Sequence, residues 1–558
     1  MARAERKAAA AASAVSGEMT HRQILLVLVG LMSGMFLAAL DQNVVGAAMR
    51  TIADDLKGLE LQAWVTTAYL ITSTISTPLY GKLGDIFGRR RLFIIAISIF
   101  VVGSLLCGTA ADMMQLAAWR AFQGIGAGGL FTLALTVLAD IVPPRERARY
   151  QGMFLAVFGT SSVLGPVLGG AFAGANQILF VDGWRWVFLI NLPIGLVALF
   201  MVLTFLHVPH TPKNHRIDWW GAIAIAVSVV PLLLVAENGR DWGWWSTESV
   251  VCYALSVIGI LWFIFAERAA GPEAVLPLAL FKSRTFSLTS ILGTIIGVGM
   301  FGGMMIIPLL LQIVMGATPT EAGFMMLPMV AGLMVATITS GQITSRTGRY
   351  KPFMVIGPIL LALGYFYLTS FNADTEYWQA AIGMVLIGLG LGQLMQTLVL
   401  AAQTAVPASE VGVATASATF FRQIGGSLGV AVFLSILFNN LKDTIPAAFQ
   451  RSDVQAGIQA AMQDKAVLAD PNNVAFLQNL KDNPAALSDQ LSTDSSFLTH
   501  LDPRLARPFL IGFSDAGVTV FWAAGIVVAL SVLLAVFIKA PKLRDKSAMA
   551  EAAASAAH

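Results

Sequence analysis

What most constrains this chain is the recurrence of apolar runs long enough to cross a bilayer: about fourteen of them, each of roughly 20 residues, lie along its 558 residues. Their centres fall near residues 35, 71, 100, 126, 160, 195, 228, 258, 299, 331, 361, 391, 425 and 526. Each must cross about 30 Å of hydrocarbon, where a helix satisfies its own backbone polar groups. The expected fold class is therefore an all-α polytopic membrane protein. Composition agrees: 56% of residues are hydrophobic, 12% are charged and the mean hydropathy is +0.74. A soluble domain carries about a quarter charged residues.

An even number of spans puts both termini on one side, and the basic residues say which. The loops after spans 2, 4, 6, 8 and 10, with the two tails, hold 23 Lys or Arg, against only Arg50, Lys57, Arg185 and Arg240 in the short loops opposite. Cytoplasmic loops carry the excess of Lys and Arg. Both termini are thus expected in the cytoplasm, and the expected location is a cell inner (cytoplasmic) membrane, of a bacterium. The first run is too long for a cleaved signal peptide and ends at the polar Asp41-Gln42-Asn43 cluster, so it reads as an uncleaved span. Residues 441–513 are polar and rich in Ala, Asn, Asp and Gln. Long loops cross regardless of charge, so this segment is expected outside, with short helices around 453–469.

Several chemistries have no support. The net charge is only +3 and the basic residues form short clusters, so no nucleic-acid partner is expected. Cys107 and Cys252 both sit in apolar runs, which argues against a disulfide framework. No G-x-x-x-x-G-K-[ST] loop exists to cradle ATP. His21, His207, His210, His215, His500 and His558 lie in tails or loops, so neither a buried metal site nor any cofactor is expected.

One repeat is visible. Gly81-Lys-Leu-Gly84-Asp85-Ile-Phe-Gly88-Arg89-Arg90-Arg91 follows span 2, and Gly341-Gln-Ile-Thr-Ser345-Arg346-Thr-Gly348-Arg349-Tyr-Lys351 follows span 10. If spans 7 and 8 are an insertion, span 10 is the second helix of a second half, and the chain reads six plus two plus six. The expected divisions are a tail 1–22, a first bundle 23–207, an intercalated pair 208–285, a second bundle 286–538 containing the outer loop, and a tail 539–558.

A charge at bilayer depth costs at least about 2.5–3.5 kcal/mol, so one that persists is a functional candidate. Three lie clearly within spans: Asp41, Arg120 and Arg422. Only Asp41 can bind and release a proton at a working pH. It is the expected proton site, with Arg120 as its electrostatic tuner. Two alternatives stand beside this: Asp41, near the outer end of span 1, could merely cap that helix, and Arg422 could tie span 13 to a carbonyl or carboxylate. Asp85 is placed to face a helix N-terminus or an arginine as two halves close.

The loop at 81–91 matches G-x-L-x-D-x-x-G-R-[RK] at every position, and here the sequence resembles the major facilitator superfamily. Leu116-Ala-Ala-Trp-Arg120-Ala-Phe-Gln123-Gly124-Ile-Gly126-Ala127 looks like the family's motif with a membrane-embedded arginine. Gly159, then Gly165-Pro166-Val-Leu-Gly169-Gly170, is similar to its antiporter motif, although small residues also serve plain helix packing. Leu40-Asp41, Trp184-Arg185-Trp186, Asn191-Leu-Pro193 and Phe420-Phe421-Arg422-Gln423-Ile-Gly425-Gly426 resemble the fourteen-helix drug:proton antiporter branch. The resemblance implies the major facilitator fold, a gate of Gly81, Asp85, Gly88 and Arg89 with Asp140 as a partner, and export in exchange for protons by a monomer. Candidate cavity residues are Trp64, Tyr69, Gln123, Met304, Gln312, Gln396, Phe420, Phe421 and Arg422. Eight methionines between Met300 and Met334 suit an adaptable apolar pocket or ordinary packing. Span 10 lacks a carboxylate and Ser345 stands where the repeated loop would need aspartate. That favours neutral, monocationic or lipid-like substrates over dications. Beside the exporter stand a lipid or glycolipid transporter on the same fold and, with less support, a membrane-embedded enzyme acting on lipid, which the missing metal and nucleophile constellations disfavour.

Overall fold

A computed structural model of the chain describes residues 21–58, 61–206, 217–407, 410–482, 498, 501–540 and 543. The N-terminal tail up to residue 20 and His207, His210, His215, His500 and His558 lie outside the described residues. The long helices are α1 (His21–Asp55), α2 (Gln62–Phe87), α3 (Arg89–Gly108), α4 (Met113–Ile141), α5 (Pro144–Ala173), α6 (Asn191–Phe205), α7 (Trp219–Trp242), α8 (Thr247–Ala270), α9 (Arg284–Ile313), α10 (Leu327–Thr347), α11 (Lys351–Leu368), α12 (Tyr377–Thr404), α13 (Val411–Phe449) and α14 (Pro503–Phe537). Thirteen spans among the described residues are long and apolar enough to cross a membrane. The helix that misses this mark is α2, whose Thr66, Thr67, Thr72, Ser73, Thr74, Ser76 and Thr77 lower its hydropathy. Part of that polarity is absorbed locally, because Thr72 donates to Ala68 O and Thr77 to Ser73 O, each at 2.9 Å. Such bonds to the preceding turn let hydroxyls sit in an apolar bundle.

Helix pairing repeats across the chain. In the first half α2 packs on α4, α1 on α5, α3 on α4, and α6 on α1 and α3; in the second, α10 packs on α12, α9 on α13, α11 on α12, and α14 on α9 and α11. The halves meet through α5 against α10 and α2 against α13, while α7 and α8 pair with each other and α7 leans on α2 and α13. The turns ending α2 and α10 also correspond. Gly88 has φ +93° and Gly348 φ +68°, and each donates its N–H back into the last turn, to Gly84 O and Thr344 O. Glycine takes that conformation without the Cβ clash that other residues incur. Val250, Val251, Leu255, Val257, Ile258 and Leu261 on α8 are exposed, as expected of a helix facing lipid rather than protein.

The polar segment after α13 is more helical than its composition suggests. α13 runs for 39 residues and α14 for 35, about 58 and 52 Å, so both outreach the hydrocarbon core. Between them Ser452–Gln463, Lys465–Leu468 and Pro471–Asp482 form a helical cap. Val454, Ile458, Val467 and Phe476 join one apolar core with the second half, and Phe509 stacks edge-on with both Phe449 and Phe476. Arg504 donates to Asp464 and Asp502 at 2.9 Å, which holds both carboxyls below the usual carboxylate range. Carboxyls depressed in the folded state stabilise it fully above the ordinary value of about 3.9 and cease to do so as pH falls through their lowered values. Hydrogen-exchange protection across 452–482, corrected for the intrinsic pH dependence of amide exchange, should therefore be unchanged from pH 7 to 5 and fall on acidification below about 3.5; flat protection would show that the ion pairs contribute nothing.

Candidate functional site

The sequence-predicted acid and base meet inside the first half. Asp41 lies in the middle of α1 and is fully buried, as is Arg120 of α4; it does not cap a helix end. Arg120 Nη1 donates to Asp41 Oδ2 at 2.5 Å. The other carboxylate oxygen accepts from Gln123 Nε2 at 3.0 Å and from Asn191 Nδ2 at 2.6 Å. Asn191 also donates to Ser104 Oγ at 2.9 Å, and Arg120 to Gln123 Oε1 at 2.8 Å. The Arg120 guanidinium stands 4.0 Å from the centroid of the Tyr69 ring, a desolvated cation–π contact. Thus Tyr69 and Gln123 belong to this cluster. A buried ion pair depends on further hydrogen bonds to its remaining atoms. Here Gln123 of α4 and Asn191 of α6 supply them to the carboxylate, while Arg120 Nε has no hydrogen-bond partner among the described residues.

Local sequence builds the cluster. A Cβ on Gly103 would lie 2.7 Å from Gln123 Cα, and one on Gly124 2.5 Å from Tyr69 O, so these glycines let α3 and α2 close on α4 and bring the polar groups into reach. The Trp184-Arg185-Trp186 stretch fixes the start of α6. Trp184 Nε1 donates to Asp55 at 2.7 Å, and Arg185 Nη1 to Gly108 O and Ala110 O at 2.9 Å. Asn191 is thereby carried to Asp41.

A second cluster joins the halves at the basic end of the bundle. Arg89 Nη2 donates to Asp85 Oδ1 at 2.8 Å and also pairs with Asp140. Asp85 Oδ2 accepts from Val413 N at 3.2 Å, in the first turn of α13, where an acid complements the helix dipole. Here a Cβ at Gly81 would collide with Ala416 Cβ and sit 3.0 Å from Gly412 O. Across the seam, Arg145 donates to the carbonyls of Ser345 and Arg346 at 2.6 Å. The repeated loop therefore meets the first half through the carbonyl end of α10, a partner for a cation, where it has no aspartate. Arg147 Nη1 donates to Gln403 Oε1 of α12 at 3.0 Å. The two halves are closed at this end.

The α5 glycines divide. Gly159 packs on Val330 of α10, Gly165 on Asn43 and Gly169 on Val44 and Ala47 of α1, while Pro166 approaches Gly323; nothing lies within 4 Å of a Cβ built on Gly170. Among the remaining cavity candidates, Phe420 and Gln396 are buried, with Gln396 Nε2 donating to Ser340 at 2.6 Å. Trp64, Met304, Gln312, Phe421 and Arg422 are half-buried. Residue-by-residue reading missed Asn191 as a partner of Asp41 and Ser104 as a partner of Asn191, though each is an isolated polar residue in an apolar run. It also missed Glu267, 1% exposed near the end of α8, whose Oε2 accepts from Leu276 N at 3.1 Å.

Comparison with known proteins gives the family. A sequence model of the Major Facilitator Superfamily matches residues 31–430. The chain is 35% identical over 537 residues to the Multidrug transporter protein MdtP of Bacillus subtilis (strain 168), covering 95% of this chain and 96% of that protein. It is 32% identical over 477 residues to Multidrug resistance protein 3 of the same organism, covering 85% and 91%. The solved proton:xylose symporter XylE superposes with a TM-score of 0.58 at 16% identity, over 96% of this chain and 99% of that one, a likeness of fold. This multi-pass membrane protein belongs to the major facilitator superfamily.

Proposed function

We propose that the protein exports small hydrophobic or amphipathic compounds across the bacterial cytoplasmic membrane in exchange for protons, with fourteen spans including α2 and its basic end in the cytoplasm. The observation that carries this is the fully buried Asp41–Arg120 pair of α1 and α4 in a two-halved helical bundle. No group of residues that could hold a metal lies beside that acid among the described residues, and a charge kept at that depth is functional by default. Relatives named as multidrug transporters support the substrate class. The Asp85–Arg89–Asp140 cluster acts as the cytoplasmic gate in this reading, and the protein works as a monomer. Energetically, one proton yields about 2.3 kcal/mol per 100 mV, against roughly 2.8 kcal/mol for a hundredfold substrate gradient. One carboxylate can carry such coupling at a somewhat larger potential.

An apolar groove of about 460 Å³ lined by Val29, Met32, Phe36, Val157, Pro193 and Val197 on α1, α5 and α6 favours a second reading, a proton-coupled lipid or glycolipid transporter. The test is uptake of fluorescent hydrophobic dyes, one anionic and one cationic, into inverted vesicles under an imposed proton gradient, compared with transfer of labelled lipid in proteoliposomes. Replacing residues 451–501 by a Gly/Ser linker should leave dye transport within about twofold, because the cap packs on the ends of α13 and α14 that outreach the hydrocarbon core. Loss of lipid transfer alone in that variant would favour the lipid reading. Loss of both activities in a correctly inserted protein would place the cap inside the mechanism.

A further inference from the structure

Among the described residues, the second half contains one charge at bilayer depth that no carboxylate neutralises. Helices α9 to α12 contain no Asp or Glu at all. In α13 and α14 the only acids are Asp443, 21 residues beyond Arg422 and about 31 Å along the helix, and Asp515, whose charged neighbour is Arg451 of the cap. Arg422 Nε is buried without a hydrogen-bond partner, and no carboxylate acts on its guanidinium among the described residues. Arg120, by contrast, is matched by Asp41. A half-buried cation without a counter-ion at bilayer depth is costly.

Its surroundings lie where the halves meet. The Arg422 carbonyl packs against Gly297 of α9. The next residue, Gln423, accepts from Thr77 of α2 at 3.4 Å. Phe421 stands edge-on to Phe281 and to Phe420, and Phe420 joins Ile71 of α2 and Ile225 and Val229 of α7 in one apolar cluster. The residues that flank Arg422 on α13 thus pack among aromatic and branched aliphatic side chains of both halves and of α7.

We infer that Arg422 is the counter-ion for the substrate, and that the site takes amphipathic compounds carrying one anionic group, a carboxylate, phosphate or sulfonate, on an apolar body. A guanidinium pairs with such groups through two parallel hydrogen bonds, and the ligand supplies the charge that the second half lacks. This deepens the exporter reading and rests on it. The anion can come from a free organic acid or from a lipid headgroup.

The test uses matched probes that differ mainly in charge. Binding of 1-naphthoate, neutral 1-naphthamide and cationic 1-naphthylmethylammonium to the purified full chain in maltoside micelles is measured by calorimetry, beside short-chain phosphatidylglycerol against phosphatidylcholine. Wild type should prefer the anion over its neutral match at least tenfold in at least one set. Arg422→Gln should reduce that preference to within twofold, and Arg422→Lys should retain part of it, which also guards against misfolding. A preference confined to the naphthyl set identifies a free organic acid, and one confined to the lipid set a headgroup; either supports the inference. Absence of preference in both sets, or its persistence in Arg422→Gln, overturns it. Failure of the exporter reading looks different: anion binding that depends on Arg422, with no transport driven by a proton gradient.

Discussion

Asp41→Asn is expected to bring proton-driven efflux down to the rate of protein-free vesicles, while substrate binding survives. Asparagine keeps the shape of the side chain and can still meet Gln123 and Asn191, but it cannot take up a proton. The change also leaves Arg120 buried without its counter-ion, at a cost of about 3–5 kcal/mol, so loss of activity by itself would be ambiguous. The double variant Asp41→Asn/Arg120→Gln resolves this. It removes both charges, so thermal stability should return towards that of wild type while coupled efflux stays absent. Recovery of efflux in the double variant, or wild-type rates in Asp41→Asn, would sink the assignment of Asp41 as the proton carrier. Asp41→Glu, which keeps the acid on a longer arm, should retain part of the activity.

Gly81→Leu should abolish transport by at least about a hundredfold without preventing insertion. The α2–α13 contact leaves no room at this position: even a methyl group would strike Ala416 and crowd Gly412 O. A leucine would hold the two halves apart at the basic end, and the Asp85–Val413 hydrogen bond of 3.2 Å would be lost with the closure. Overpacked contacts of this kind cost about 1–3 kcal/mol or more, enough to shift a two-state equilibrium about fivefold to over a hundredfold, and a leucine, three carbons larger than the methyl group that already collides, lies at the upper end. Cysteines placed near the seam at the basic end should become more accessible in Gly81→Leu, and to a smaller degree in Asp85→Asn. Unchanged accessibility with unchanged transport would reduce the loop at 81–91 to a topogenic turn.

The two clusters were legible to different extents. Asp85 was expected to face a helix N-terminus or an arginine, and it does both, because a tight glycine-bounded turn leaves its side chain few directions. Asp41 and Arg120 were named from their cost in lipid, yet their mutual contact joins residues 79 positions apart that no local pattern links. The placement of Asp41 misled more than its identity did. The polar run Asp41-Gln42-Asn43 suggested the end of a span, but α1 continues to Asp55, since Asn43 donates to Ala39 O at 2.8 Å within the helix and the flanking valines pack on α5 and the start of α6. The cap was expected only as short helices around 453–469. Its core depends on Phe449 and Phe509 from flanking helices that extend well past the apolar runs, which hydropathy cannot register.

By itself the sequence determined the class of fold, the basic side of the membrane and the glycine-bounded turn at 81–91. Apolar length, the excess of Lys and Arg and the demand for glycine at a tight turn are each local properties, readable one segment at a time. Tertiary structure alone decided which polar groups satisfy one another. It brought Asn191 to Asp41 and Ser104 to Asn191, gave Asp85 to α13 and Arg145 to the end of α10, and left Arg422 without a carboxylate partner among the described residues. Whether a buried charge is matched or orphaned depends on what other helices carry to the same depth and face, and that information exists only once they are packed.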